Sequence, residues 1–363
     1  MKKIILLLSI LCLASCLCLG GCSCSDEAAN EGDANSSNGN GTQDKPTATV
    51  GKLVCTLSED KTYYIVSGLN AVINGNLTIP NSCNGKPIKA IGERAFENCD
   101  GLEAISIHEG IVEIGKYAFH DCDKIRQISL PSTVTSVGKG AFSCCVMLNS
   151  INVSEHNISY KSVAGCLLSK NGETFIQYPV GRTITSYNMP STVKAVEPYA
   201  FSNCQNLVSV SLSKELTSIG EEAFYNCNML KEINIPGGVT KIGSKALADC
   251  DRLESINVEK RNPIYKTVDG SLYNNSCTEL IQYAVGKSDT GFSMMVSVTA
   301  IHPYAFSGAS KLENIYIPSR VATVGKNAFM GCRSLTIFTG AKSQPSTWDV
   351  DWNPDQCSVK WGK

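Results

Sequence analysis

The chain has 363 residues, with 32 Lys+Arg against 33 Asp+Glu and a formal charge of −1. No global basic field exists to hold nucleic acid. The length admits two or three compact domains or one long repeat array. Charged residues make up 18%, below the roughly 25% of an average soluble protein, and 43% are hydrophobic, enough to bury a core. The low charge leaves a Ser/Thr/Asn/Gly surface that suits an exported repeat protein better than a cytosolic enzyme, and the 18 cysteines are unusual.

The first residues run Lys2-Lys3, an apolar stretch from Ile4 to Leu19, then Gly20-Gly21-Cys22. This reads as an export signal, too short and wrongly flanked for a stable membrane span. Leu19-Gly20-Gly21-Cys22 resembles the bacterial lipobox, which predicts a signal peptide over 1–21 and lipidation of Cys22. Leu13-Ala14-Ser15-Cys16 fits the same pattern, but cutting there would leave Leu17, Cys18 and Leu19 exposed at the new terminus. The alternative is an ordinary secretory signal with a chance cysteine. A diacylated Cys22 would anchor the chain stably, since two acyl chains hold where one does not. The membrane is then a partner through the N-terminal lipid.

Residues 22–50 are Ser, Asn, Gly, Ala and Asp without periodic apolar positions, so they are expected to be a disordered acidic tether. Residues 51–87 are expected to form an N-terminal cap segment, 88–340 the repeat array and 341–363 a C-terminal cap.

The array is marked by Ala-Phe with a Cys three residues later: Ala95-Phe96 with Cys99, Ala118-Phe119 with Cys122, Ala141-Phe142 with Cys145, Ala200-Phe201 with Cys204, Ala223-Phe224 with Cys227. Ala246-Leu247 with Cys250, Ala305-Phe306 with Ala309 in the cysteine slot, and Ala328-Phe329 with Cys332 follow. The alanine spacings are 23, 23, 59, 23, 23, 59 and 23: a 23-residue repeat interrupted twice by a 36-residue insertion, with a higher period of 105. After each cysteine, apolar and polar residues alternate, as around Ile125, Ile128 and Leu130, predicting a strand with one buried face. A second short apolar piece precedes each Ala-Phe and ends at a corner Gly such as Gly115, Gly220 or Gly325. The Ala-Phe-x-x-Cys piece is predicted to be one helical turn whose Phe plugs the coil interior.

A 23-residue unit cannot bury its own apolar face, whereas stacking turns each inward row into a continuous core. The predicted fold is a β-rich repeat solenoid. The insertions, near 154–189 and 259–294, are related: Tyr160-Lys161-Ser162-Val163-Ala164-Gly165 matches Tyr265-Lys266-Thr267-Val268-Asp269-Gly270. They read as strand, turn, strand, with Asn171-Gly172 as a hairpin signal, and are expected to be β-rich coils of the array and not separate domains. After each, the corner Gly becomes Glu197-Pro198 or His302-Pro303.

The motif Ile-Gly-x-x-Ala-Phe-x-x-Cys-x-x-Leu-x-x-Ile-x-Ile-Pro, seen from Ile114 to Pro131 with Leu130 in the last apolar slot, resembles the BspA-type leucine-rich repeat. The likeness covers residues 51 to 363 and departs from the pattern at Leu247 and Ala309. It implies an exported or surface-attached protein with a role in adhesion to host extracellular proteins or other cells.

Seven cysteines occupy the repeat slot, where a small buried hydrophobe is expected and a free inert thiol follows. A Cys55–Cys83 bridge is the one disulfide considered outside that slot. No Cys-x-x-Cys, His pair, Gly-x-Ser-x-Gly or His-Glu-x-x-His occurs, so no metal, cofactor or catalytic residue is assigned. The outward row of the alternating strands offers Ser129, Asn152, Ser211, Asn234, Asn257 and Tyr316 as a candidate binding face; the plainer reading is a solvated sheet that avoids aggregation. Trp348, Trp352 and Trp361 are read as a cap over the open core, with an exposed aromatic platform as the alternative. The expectation is a monomeric, lipid-anchored, non-enzymatic leucine-rich repeat module that binds a protein or glycan outside the cytoplasm. A ligand-free envelope scaffold is the second reading and an exported hydrolase the third.

Overall fold

The computed structural model describes residues 47–363; the signal segment, Cys22 and most of the tether lie outside the described residues. The tether does not run to residue 50, because Thr47–Val50 is a strand paired antiparallel with Leu53–Leu57 across a Gly51 at φ 59. Alternating Thr-Ala-Thr-Val with a glycine turn supplies that hairpin.

Each regular coil has three legs. A long strand such as Gln127–Leu130 buries Ile128 and Leu130 and exposes Gln127 and Ser129. It pairs in parallel with its copy one coil later, Ser150–Val153, with Ser129 opposite Asn152. A short strand such as Glu113–Ile114 pairs with Ser136–Val137 on a second wall. The corner between this leg and the next is glycine because of close approach: a Cβ on Gly220 would lie 2.4 Å from the Pro198 nitrogen of the preceding coil.

The third leg corrects the expectation of a helical turn. Arg94 and Asn98, flanking Ala95-Phe96-Glu97, both have φ 55, and Tyr117 and Asp121 repeat this one coil on. Isolated left-handed residues do not continue an α-helix. The N–H groups therefore alternate in direction: Ala95 and Cys99 donate within their coil to Gly92 and Phe96 oxygens, while Arg94, Phe96 and Asn98 donate to Lys116, Ala118 and His120 of the next. A helix would have turned all of these inward, so the leg is a third ladder between coils. Phe does fill the interior, with Phe96 stacked on Phe119 at 5.1 Å and Phe306 on Phe329 at 5.0 Å, close to the strand spacing of about 4.8 Å. No described residue is helical.

The insertions are coils of the array. Tyr160–Val163, Cys166–Ser169 and Thr174–Gln177 form an antiparallel meander whose last strand joins the short-strand wall in parallel with Ala195–Val196. Tyr265–Val268, Ser271–Asn274 and Glu279–Gln282 do the same before Ala300–Ile301. The tight hairpin turns are Ala164-Gly165 and Asp269-Gly270, all at positive φ, as a two-residue hairpin with both central residues left-handed requires. The first strands of the chain, Thr47–Val50, Leu53–Leu57 and Tyr64–Leu69, have this topology too, ending in parallel pairing with Lys86–Ile91. All three meanders carry a register shift at the same place, Val54/Cys55, Leu167/Leu168 and Leu272/Tyr273.

The two inserted meanders divide the interior into three cores, the N-terminal meander packing within the first. Leu167 packs with the first, while its neighbours Cys166 and Leu168 pack with the second. Leu272 belongs to the second core and Tyr273 to the third. A strand alternates faces along its length, so each middle strand is a partition buried on both sides. Rungs continue past residue 340: Ser358–Trp361 pairs in parallel with Thr336–Thr339, and Trp352 meets Phe329 edge-on at 5.6 Å with Trp348 and Trp352 buried.

Candidate ligand-binding surface

The long-strand wall carries the candidate row. Ser129, Asn152, Ser211 and Asn234 are exposed, Asn257 is half-buried, and Tyr316 is 46% exposed. The structure brings them together in three groups. Ser129 and Asn152 are cross-strand neighbours, as are Asn234 and Asn257, whose amide donates to the Asn234 Oδ1 at 3.1 Å. Ser211 sits on the rung before Asn234. Tyr316 stands apart, opposite Ser293 and Phe338.

The row is interrupted at the insertions. Beyond Asn152 the next position is taken by the Ala164-Gly165 hairpin tip, where the Ile151 N–H donates to the Gly165 oxygen at 2.8 Å. The Arg182 guanidinium holds the Ala164 oxygen at 2.8 Å. At the second seam Lys287 takes the equivalent place, held by Asp269 and Asp289. The single flat face expected from alternation is thus three patches separated by two seams, one carrying Arg182 on a backbone carbonyl and the other Lys287 between two carboxylates.

Phe338 is the functional candidate that sequence reasoning missed. It lies on the outward side beside Tyr316, with inward Ile315 opposite inward Ile337, and Lys360 follows on the next rung. The signal was present, since Thr336–Thr339 carries the same alternation as the strands before it, but no Ala-Phe motif follows it to extend the count.

The slot cysteines are free and mostly buried, and so are Cys55 and Cys83. Their thiols donate to the carbonyl of the Phe one coil back: Cys122 to Phe96 and Cys145 to Phe119 at 3.0 Å, Cys250 to Phe224 at 3.1 Å. Burial pushes the Cys99 and Cys204 thiols up to about 11 and Cys55 to about 12. Thiolate, the reactive form, is therefore disfavoured. His302 pairs with Glu279 at 2.8 Å, and His120 meets Ser143 at 2.8 Å. Among the described residues no group of three or more His, Cys, Asp or Glu stands together as a metal site, and no helix is long and apolar enough to cross a membrane.

Comparison with known proteins bears on the fold. A crystal structure of a leucine-rich repeat protein from Eubacterium ventriosum is similar with a TM-score of 0.57 and 20% identity, over 86% of this chain and 94% of that one. A leucine-rich cell surface protein from Faecalibacterium prausnitzii is 26% identical over 84% of this chain and 77% of its own, with a TM-score of 0.48. The pneumococcal vaccine antigen PcpA is 16% identical over 88% and 99%, with a TM-score of 0.40. No curated protein matches. The family profile described as BspA type leucine-rich repeat region matches residues 74–171, 180–293 and 287–346 in six copies. With three interlocking ladders, stacked phenylalanines and that match over most of its length, the chain belongs to the BspA-type leucine-rich repeat family.

Proposed function

We propose that this chain is an exported binding or adhesion module, tethered by lipid on Cys22, that holds a protein or glycan ligand on its long-strand wall around Tyr316 and Phe338. The observation that carries the reading is that pair. On a wall made mostly of Ser, Asn and Gln, with Glu232 among its outward residues, two aromatic side chains face outward on neighbouring rungs, Tyr316 being 46% exposed. Rigid aromatics anchor protein interfaces at low entropic cost and stack on the apolar faces of sugar rings. Lys360 on the next rung adds a charged donor.

Proteins of this family are typically found at the cell surface, and the lipobox residues Leu19-Gly20-Gly21-Cys22 fit a membrane tether. Repeat folds host many functions, so family alone does not name the ligand. Many copies on a membrane would turn weak contacts into firm attachment.

The test is saturable binding of the purified full chain to arrays of extracellular matrix proteins and glycans, compared with Tyr316→Ala/Phe338→Ser. Binding lost in the double variant supports the site. No saturable binding to any array member favours an envelope scaffold instead. Detergent-phase partition of the wild type against Cys22→Ala tests the anchor, and equal partition would refute it.

A further inference from the structure

The two seams between blocks are built from equivalent positions but differ in charge. On the short-strand wall of the second seam, Glu279 lies opposite Ala300 and is paired with His302 at 2.8 Å. The same positions at the first seam are Thr174, opposite Ala195, and Glu197. Thr174 cannot neutralise a carboxylate, the nearby Lys194 is paired with Glu173, and Glu197 has no ion-pair partner among the described residues. Here a cleft of about 370 Å³ opens, lined by both residues.

Much of its wall is apolar: Val137, Phe142, Ile176, Tyr160 and Pro198 line it. Gln177 also lines it and is only 2% exposed. The Gln177 amide nitrogen is fixed by the oxygens of Tyr178 at 3.0 Å and Ala200 at 3.2 Å. That leaves its Oε1 as an acceptor with no donor among the described residues. Apolar walls beside an unpaired carboxylate and a fixed amide oxygen suit a ligand with an aliphatic stem and a cationic, donor-rich head, against which Lys139 in the same lining works.

We propose that this cleft receives a lysine side chain presented by a protein partner, with its ammonium on Glu197 and Gln177 Oε1 and its methylenes against Ile176 and Phe142. One carboxylate matches one ammonium, which favours a side chain over a free diamine. At the second seam the carboxylate, Glu279, is already paired with His302 and lines a different cleft, with Thr323, Val324 and Trp348, which makes it the built-in contrast. The site is on the short-strand wall and the Tyr316–Phe338 pair is on the long-strand wall, so either proposal can fail alone.

The test is titration of the full chain with N-acetyl-lysine methylamide, followed by NMR or calorimetry. The neutral norleucine analogue, cadaverine and methyl glycosides serve as comparators. Saturable lysine binding is expected, at least tenfold tighter than norleucine and no weaker than cadaverine. Glu197→Gln should weaken it about tenfold, and Thr174→Glu/Glu197→His, which transplants the second seam's pair, should remove it while the far-UV spectrum stays unchanged. Lys139→Ala, which removes the one basic residue lining the cleft, should strengthen it. Equal binding of norleucine, indifference to Glu197→Gln and Lys139→Ala, or tighter binding of cadaverine or a glycoside would overturn the assignment.

Discussion

The Cys227 thiol donates to the Phe201 carbonyl oxygen, one coil back, at 3.2 Å. That oxygen also accepts the Cys204 N–H within its own coil, so both lone pairs are used. At the first coil after each insertion the arrangement differs. The Tyr178 and Tyr283 oxygens, which stand where a Phe oxygen otherwise would, accept from Gln177 and Gln282 side chains. A thiol is then dispensable, and Ala309 occupies that slot in the third block. Cys204, the equivalent residue in the second block, should tolerate alanine better than Cys227. Urea denaturation is expected to show Cys227→Ala costing about 1 kcal/mol more than Cys204→Ala, the net worth of one hydrogen bond. Equal losses would remove the thiol–carbonyl bond from the account.

Tyr178 and Tyr283 are fully buried aromatic rings whose hydroxyls have no hydrogen-bond partner among the described residues. Burial pushes the Tyr283 hydroxyl up to about 12. An unpaired buried hydroxyl costs stability that phenylalanine does not. Tyr178→Phe and Tyr283→Phe should each stabilise by about 1 kcal/mol, read as a rise in denaturation midpoint. A fall would mean that the hydroxyls are paired in solution.

The corners separate two substitutions to alanine. Gly220→Ala drives a methyl into the Pro198 backbone at 2.4 Å and should destabilise by about 2 kcal/mol or more. Glu197 occupies the equivalent corner one coil earlier, where the preceding element is the strand Thr174–Gln177 and a side chain fits. Glu197→Ala should leave the thermal midpoint nearly unchanged. Equal effects at the two corners would contradict the stacking described for them.

Asp249 receives the Ser307 hydroxyl at 2.8 Å across the second seam. Burial raises its pKa above the ordinary carboxylate value, opposed by bonds from Ser307 and Tyr225. The folded state therefore binds this proton more tightly than the unfolded chain. Its contribution is favourable below the unfolded value of 3.8 and is lost as pH rises through the raised folded value. Asp249→Asn keeps an acceptor for Ser307 without the charge. It should raise stability at pH 7 and flatten the fall of stability between pH 4 and neutrality. A variant less stable at pH 7 would show that the ionised form is the favoured one.

The solenoid is legible because its physics is periodic. Ile128, Ile151 and Ile233 recur at the spacing that stacks them, and alternation alone places Ser129 outward and Leu130 inward. The Ala-Phe leg is not legible in the same way, because its left-handed residues, Arg94 and Asn98 among them, are not glycines. Each is held by ladder bonds to the next coil, a tertiary effect that local sequence does not carry. The insertions can be recognised as related from Tyr160 and Tyr265, but their role as partitions cannot. Leu167 and Leu168 read as two adjacent apolar residues, and only the packing assigns them to different cores. The topology they share with Thr47–Leu69 is hidden too, since Thr47 stands where Tyr160 stands. The Tyr160 hydroxyl accepts the Val137 N–H at 2.9 Å, linking its meander to the block before it. The cleft leaves one mark in the sequence, the change of corner from Gly to Glu197-Pro198.

The partition strands are the feature on which the three-block architecture rests, and native-state hydrogen exchange of the full chain measures them directly. Amides of Cys166–Leu168 and Ser271–Tyr273 should exchange as slowly as those of the central rung Glu232–Ile235, while the Lys170–Glu173 loop exchanges fast. If residues 160–177 and 265–282 instead exchange together at the rate of surface hairpins, the insertions are appendages and the cores are not divided as described.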